Sequence, residues 1–197
     1  MISAKDVKEL RDMTGAGMMD CKNALMETEG DIEKAVDLLR AKGAAKAAKR
    51  AEKSAKEGVI GSYIHFDNKI AVIVELNCET DFVANTDDFR ALARDIAMHI
   101  ASTAPLSVSS DEIDADVIER EKAVYLEQAR EEGKPDEIAA KMVAGRLQKF
   151  FKESTLLAQP FVKDPDKTVE ELITEVSSTV GEKIQIARFA RMKVGER

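Results

Sequence analysis

The spacing of apolar residues in the N-terminal part of the chain predicts three short helices. Val7 and Leu10 lie about one helical turn apart, on one face of the first predicted helix. The two glycines of "TGAG", at residues 14–17, then interrupt the pattern and permit a tight turn. The same helical spacing recurs twice before Lys42. We therefore expect residues 1–42 to form a compact three-helix module.

The next segment, residues 43–57, is an Ala- and Lys-rich run that is locally basic. Between Lys42 and Gly58 there are six basic and two acidic residues, whereas the formal net charge of the whole chain is −7. Two interpretations are open for this run: a contact with nucleic acid or an acidic partner, or a solvated helical linker. The negative charge of the chain argues against general adhesion to nucleic acid or to an anionic membrane. We favour the linker and expect no direct contact with nucleic acid.

The helical pattern gives way to β-rich runs after Gly58. "VIGSYIHF" and "IAVIVELNC" predict two strands joined by a turn at "DN", residues 67–68. A helical stripe follows, and "KIQIARFARMKV" predicts a third strand near the C-terminus. We expect a helix-backed antiparallel three-stranded sheet. Its core α/β unit covers residues 58–112, and the helix and strand of residues 156–197 complete it.

Residues 113–155 predict a different kind of structure, a pair of long helices. The first covers about 114–132 and the second about 135–153, with "GKP" between them, where glycine ends one helix and proline suits the first turn of the next. Both apolar stripes are narrow, as in coiled coils. This pattern favours a protruding antiparallel helical hairpin, and the predicted fold class is α+β.

The residues suited to covalent catalysis are few. His65 and His99 are the two histidines, and His99 is expected to be a structural histidine because it lies near an apolar stripe, one turn from Asp95. Cys21 and Cys78 each follow or precede a carboxylate, which disfavours a reactive thiolate. We expect a protein that is not an enzyme and that carries reduced thiols.

Several other classes are disfavoured by missing signals. The sequence has neither a P-loop nor a GxGxxG pattern, so no nucleotide or other cofactor is expected. It also has no apolar run near the roughly 20 residues of a membrane span and no signal-peptide core at the N-terminus. We expect a cytoplasmic protein that does not contact membranes.

The segment "NCETDFVANTDDF", residues 77–89, places an aromatic side chain where a strand gives way to a helix. Phe82 is either tucked under this junction as a local staple or protrudes as an interface anchor. The acidic residues around it suggest either a metal site or helix capping, and capping is the simpler explanation, so no metal is expected. Met18 and Met19, which follow the glycine turn, suit either an adaptable contact or core filling.

Three long motifs in the same order resemble the elongation factor Ts family of bacteria. They are "LRDMTGAGMMDCKNAL" at residues 10–25, "NCETDFVAN" at 77–85 and "GKPDEIAAKMVAGRLQKFFKESTLLAQPFV" at 133–162. "DPDKTVEELI" also fits the family, and the likeness covers nearly the whole chain. The resemblance implies a guanine-nucleotide exchange factor for the GTPase elongation factor Tu. It therefore assigns the chain to translation elongation.

The resemblance also implies roles for particular residues. The N-terminal module would dock on the nucleotide-binding domain of the GTPase, with Arg11, Met18 and Met19 as contacts. His65 falls in "GSYIH", which is similar to a partner-facing strand in the family. The stretch that intrudes beside the partner's magnesium site, and promotes the loss of Mg²⁺ and GDP, is matched by Thr80, Asp81, Phe82 and Val83.

The chain is shorter than the longer family members, which carry two core α/β units in tandem. A single such unit, at about residues 58–104, is visible here, so the resemblance implies a homodimer in which two copies supply what one long chain would. An alternative function is a homodimeric scaffold or adaptor without exchange activity. Its N-terminal module would resemble ubiquitin-associated (UBA) domains.

Overall fold

The computed structural model describes residues 2–196 and has mixed α and β structure. The chain divides into two compact units, each built from three separate stretches of sequence. Unit 1 contains Met1–Val59, Leu76–Arg90 and Glu171–Gln185, and unit 2 contains Ile60–Glu75, Ala91–Glu170 and Ile186–Arg197. Among the described helices, none combines the length and apolar character that a membrane span requires.

The described helices and strands include those that the sequence patterns predict, in the same order, together with short elements that the patterns do not predict. In chain order they are α1 (Ala4–Thr14), α2 (Met18–Glu27), α3 (Ile32–Arg50), β1 (Glu57–Ile64), β2 (Ile70–Cys78), α4 (Asp81–Ala84), α5 (Asp87–Thr103), α6 (Ala115–Glu131), α7 (Asp136–Ser154), β3 (Pro160–Phe161), β4 (Asp164–Thr168), α8 (Val169–Val180) and β5 (Gln185–Lys193).

The first three helices pack around one small apolar core in unit 1. Ser3 and Asp6 cap the start of α1 reciprocally, each accepting a hydrogen bond from the backbone of the other. Gly15 ends the helix in the left-handed conformation, with φ of 64°. The six fully or nearly buried residues of this core are Val7, Leu10, Cys21, Ala24, Leu25 and Ala35.

The third helix is longer than the apolar stripe alone predicts, because it continues to Arg50. The first half of the basic run is therefore part of α3. Two lysines of α3 also have partners within unit 1: Lys42 lies 2.6 Å from Glu27, and Lys46 lies 2.9 Å from Asp20. These ion pairs connect α3 to α2, and Gly43, which is buried, approaches Ser178 of α8.

The predicted three-stranded sheet is confirmed, with strand order β1-β2-β5. The turn between β1 and β2 is closed by a 2.9 Å hydrogen bond from the His65 amide to the Ile70 carbonyl. Asn68 takes a left-handed backbone conformation there, with φ of 57°, which asparagine tolerates better than most residues. Val72 and Val74 are buried on one face of the sheet, as the alternating pattern requires.

In unit 2, α6 and α7 pack against each other and are joined by a loop of four residues. Ala129 and Ala139 are fully buried, and Arg146 of α7 donates hydrogen bonds to Gln128 and Glu132. A second, two-stranded sheet formed by β3 and β4 follows, which the sequence patterns do not predict. Its strand "DPDKT" combines proline and aspartate, residues that are depleted in strands, so propensity gives no signal for it.

The core of unit 2 contains a buried histidine, His99 on α5. Its Nε2 lies 2.9 Å from Oε1 of Gln159, and its Nδ1 accepts a 3.3 Å hydrogen bond from the Val162 amide. The interpretation of His99 as a structural histidine is therefore confirmed, but its partner is Gln159. Asp95 pairs instead with Lys163, at 2.6 Å.

His99 should make the stability of unit 2 depend on pH. Burial lowers the pKa of His99 below its ordinary value of 6.5, so the unfolded chain takes up a proton more readily than the folded one. The stabilisation is complete above about pH 6.5 and declines as the pH falls toward the lower folded-state pKa. Urea unfolding at pH 7.5 and pH 5.5 should show a lower midpoint at pH 5.5. His99→Gln should reduce this difference between the two midpoints. An equal difference in the variant and the unmodified protein would contradict the assignment.

Candidate partner-binding surface

The contact residues predicted near the N-terminus lie on the outside of the three-helix core. Arg11 is exposed near the end of α1, and the turn at Gly15 leads directly into α2. Met18 and Met19, the first two residues of α2, are 47% and 64% exposed. The core is filled by other side chains of these helices, so core filling by the two methionines is excluded.

Phe82 lies on a one-turn helix directly after the central strand of the sheet. Thr80 caps this helix, since its hydroxyl accepts a 3.5 Å hydrogen bond from the Val83 amide. The side chain of Phe82 is 83% exposed, whereas Ala84 in the same turn is buried. The possibility that the ring is tucked under the junction is therefore wrong. Helical geometry turns Ala84 toward the protein and leaves Phe82 outside.

The backbone beneath this turn is held by side chains distant in sequence. The Glu182 carboxylate accepts a hydrogen bond from the Glu79 amide, and the Glu79 carboxylate accepts one from the Lys183 amide, so each contact spans about a hundred residues. Arg50 also forms a 2.8 Å ion pair with Glu79. The hydrogen bond from the Lys183 amide, and then Arg50, hold the pKa of Glu79 below its ordinary value. Sequence analysis does not find Glu182 or Arg50, because neither belongs to a local motif.

The predicted docking residues and the predicted intruding stretch belong to the same compact unit. Residues 11–19 and 80–83 are both in unit 1, although α3, β1 and β2 lie between them in sequence. The unit that carries Phe82 therefore also carries the α1 and α2 residues predicted to contact the partner.

His65 belongs to unit 2, so the structure does not bring it into one compact unit with the other predicted contacts. Its side chain is half-buried at the end of β1. Nδ1 lies 3.0 Å from the Tyr63 hydroxyl, and the ring lies 4.4 Å from that of Phe66, which is itself exposed. The imidazole therefore contacts the side chains of both Tyr63 and Phe66 at the hairpin turn.

The two thiols and the acidic residues lack the features of a chemical site. Cys21 and Cys78 are buried and unpaired, and burial, followed by the nearby Glu182 carboxylate, raises the pKa of the Cys78 thiol. Its Sγ donates a 3.1 Å hydrogen bond to the Thr80 carbonyl. Among residues 2–196, no group of three or more His, Cys, Asp or Glu side chains could hold a metal ion.

Comparison with known proteins identifies the family. A family model described as "Elongation factor TS" matches residues 3–196. The chain is 60% identical to elongation factor Ts of Syntrophomonas wolfei over 196 residues, which covers 100% of this chain and 92% of the relative. It is 53% identical to elongation factor Ts of Fervidobacterium nodosum over 195 residues, or 99% of each chain. The chain therefore belongs to the elongation factor Ts family.

Proposed function

We propose that this chain is the guanine-nucleotide exchange factor of elongation factor Tu, acting in the cytoplasm during translation elongation. Membership of the elongation factor Ts family over the full chain supports this function. The observation that carries the mechanism is Phe82, a large apolar side chain exposed on a short, braced turn. The protein acts by binding alone and makes or breaks no covalent bond.

The intruding stretch, residues 80–83, acts on the magnesium site of the GTPase. Mg²⁺ requires near-ideal octahedral geometry with ligands at about 2.1 Å, so a small displacement of its supports weakens its binding. A rigid aromatic ring pressed against those supports supplies the displacement. Once Mg²⁺ is lost, the phosphates of GDP are less well neutralised and GDP dissociates. Coupling between the two ligands is reciprocal, so a newly bound nucleotide displaces the exchange factor.

Docking is carried by the N-terminal helices, which form a UBA-like module with Arg11, Met18 and Met19 at the contact. Methionine adapts its shape to a partner surface, and the two exposed methionines lie side by side at the start of α2. His65 and the neighbouring rings of Tyr63 and Phe66 supply a second contact from unit 2. The α6–α7 pair serves as a protruding hairpin that contacts a partner.

A GDP-release experiment tests this function against that of a scaffold. Elongation factor Tu is loaded with fluorescent GDP and placed in excess unlabelled GTP. This protein is then added at one-tenth of the concentration of the GTPase. We expect release of all the bound GDP at a rate proportional to the concentration of the protein, because an exchange factor turns over. A scaffold without exchange activity would bind the GTPase and leave the spontaneous release rate unchanged.

The chain also acts as a homodimer, which we infer from the exposed face of its sheet. Ile60 and Ile64 share one face of β1, and the register set at the turn places Ile73 of β2 on the same face. Met192 of β5 is also exposed, and each of these four side chains is more than half accessible. A face of this kind in unit 2 is suited to an isologous contact with a second copy.

Replacing Ile73 with aspartate should therefore dissociate the dimer. Burying a charge without a partner at the centre of an apolar contact is costly, and we expect the dimer dissociation constant to rise by at least about tenfold. Light scattering over a dilution series measures this shift. Leu106→Asp, at an exposed position outside the sheet, serves as the control. A concentration-independent monomer mass for the unmodified protein would contradict the proposal.

A further inference from the structure

The carboxylate of Glu182, which lies between α8 and β5, binds the backbone just before Phe82. Oε2 of Glu182 accepts hydrogen bonds from the amides of Glu79, at 3.1 Å, and Thr80, at 3.0 Å. Oε1 accepts a 2.6 Å hydrogen bond from the Thr80 hydroxyl. One side chain therefore binds three donors at the entrance of the short helix that carries Phe82.

A second carboxylate makes the same kind of contact in the opposite direction. Oε1 of Glu79 accepts a 2.7 Å hydrogen bond from the Lys183 amide and a 2.8 Å hydrogen bond from Arg50 of α3. The Glu79 side chain is only 16% exposed, so these are partly buried contacts. Each segment thus supplies a carboxylate to the backbone of the other, an arrangement we name the carboxylate clasp (Glu79 and Glu182).

The clasp is connected to the docking module through the end of α3. Besides the ion pair from Arg50, Nζ of Lys183 donates hydrogen bonds to the carbonyls of Ala51, at 2.8 Å, and Lys53, at 3.0 Å. The helix that begins in the three-helix core therefore ends against the loop that holds Thr80. All these residues belong to unit 1.

The short helix needs such support because it cannot hold itself. A helix of four residues is far below the length at which helices are stable alone, and Phe82 makes little packing contact because its side chain is 83% exposed. The direction of the ring thus depends on how firmly residues 79 and 80 are held. Hydrogen bonds to a charged acceptor are about twice as strong as neutral ones, so a carboxylate suits this task.

We propose that Glu182 and Glu79 are positioning residues for nucleotide exchange, which hold the Phe82 turn rigid and join it to the docking helices. The inference rests on the proposed role of Phe82. A rigid ring transmits the free energy of docking to the partner's cation site, whereas a loose ring must first be ordered. Loss of the clasp therefore lowers the maximal rate of GDP release and leaves docking affinity nearly unchanged.

Glu182→Gln is the principal test, measured as stimulated GDP release over a range of exchange-factor concentrations. The amide keeps the shape of the carboxylate but cannot accept from all three donors, and we expect the maximal rate to fall about tenfold. The half-saturating concentration should change less than about twofold. Glu52→Gln, which removes an exposed carboxylate in the same unit, is the matched control and should match the unmodified protein.

Two further measurements separate positioning from a general loss of structure. Amide hydrogen exchange of the free protein should accelerate at residues 79 and 80 in Glu182→Gln, with the thermal midpoint and the protection of α1–α3 retained. Thr80→Val removes the hydroxyl that binds Glu182 and should slow GDP release, whereas Thr80→Ser keeps the hydroxyl and should restore the rate.

A double variant distinguishes failure of this inference from failure of the proposed function. Once the ring is gone, its support is irrelevant, so Glu182→Gln should change the rate less than about twofold in a Phe82→Ala background. If Phe82→Ala slows release but Glu182→Gln and Thr80→Val do not, the clasp has no positioning role and the Phe82 mechanism stands. If Phe82→Ala itself has no effect on GDP release, both the proposed role of Phe82 and the positioning role of the clasp are wrong.

Discussion

Phe82→Ala should slow stimulated GDP release from elongation factor Tu by roughly ten- to a hundredfold, without unfolding the protein. Burial of a phenylalanine side chain against a partner contributes roughly 1.5–3 kcal/mol, and each 1.36 kcal/mol corresponds to a tenfold change in rate. The fold is unaffected because this side chain is 83% exposed in the free protein. The measurement is the maximal rate of fluorescent GDP release at saturating exchange factor.

A control with the same kind of truncation makes the Phe82 result specific. Leu106→Ala removes an apolar side chain that is 60% exposed and lies outside every surface proposed for the partner. It should stimulate GDP release from the GTPase at the same rate as the unmodified protein. If Phe82→Ala also stimulated GDP release at the rate of the unmodified protein, and bound the GTPase normally, the ring would have no part in expelling Mg²⁺.

Some stimulation should remain in Phe82→Ala, because one ring cannot account for the whole effect. Shifting a two-state equilibrium by a factor of 10⁴ needs about 5.5 kcal/mol of differential binding, roughly two to four times what one phenylalanine supplies. The docking contacts at α1 and α2 must provide the rest. With Phe82→Ala present, the GTPase should therefore release GDP faster than it does alone.

Gly61→Ala should lower the free energy of unfolding by roughly 3 kcal/mol or more, since overpacking of a rigid contact is costly. Gly61 is buried on β1, and a Cβ there would lie 2.5 Å from the carbonyl oxygen and 2.6 Å from the carbonyl carbon of Ala93 on α5. Both atoms are backbone, so they cannot move aside as a side chain would. Urea unfolding followed by circular dichroism measures the loss.

Gly145→Ala makes the same chemical change where there is room for the methyl group. Gly145 lies within α7, and no atom lies within 4 Å of a Cβ built there. Alanine favours helix over glycine by about 1 kcal/mol, so this variant should be slightly more stable than the unmodified protein. Equal losses in the two variants would show that the close approach of strand and helix is unimportant.

Sequence periodicity alone predicts most of the secondary structure. The stripes of α1, α2 and α5 and the alternation of β1 and β2 are local patterns, and each element forms where its pattern lies. The third strand, β5, is also found from its composition, but the structure alone shows that it pairs with β2 and not with β1. The "TDFVAN" motif and its neighbours identify the family without any coordinates.

Other features depend on residues that are distant in sequence, and periodicity carries no signal for them. Gln159 is the partner of His99 across 60 residues, and Glu182 binds Thr80 across 102 residues. The β3–β4 pair is not predicted, because β3 has only two residues and β4 is rich in proline and aspartate, which are depleted in strands.

The sequence therefore determined which segments are helix or strand and which family the chain belongs to, since both follow from local pattern. The tertiary structure decided that Phe82 points outward and that two distant carboxylates hold the turn beneath it. Spacing leaves a ring at a strand–helix junction free to pack inward or outward. Its direction is fixed when the folded chain buries Ala84 and brings Glu182 to the Thr80 backbone.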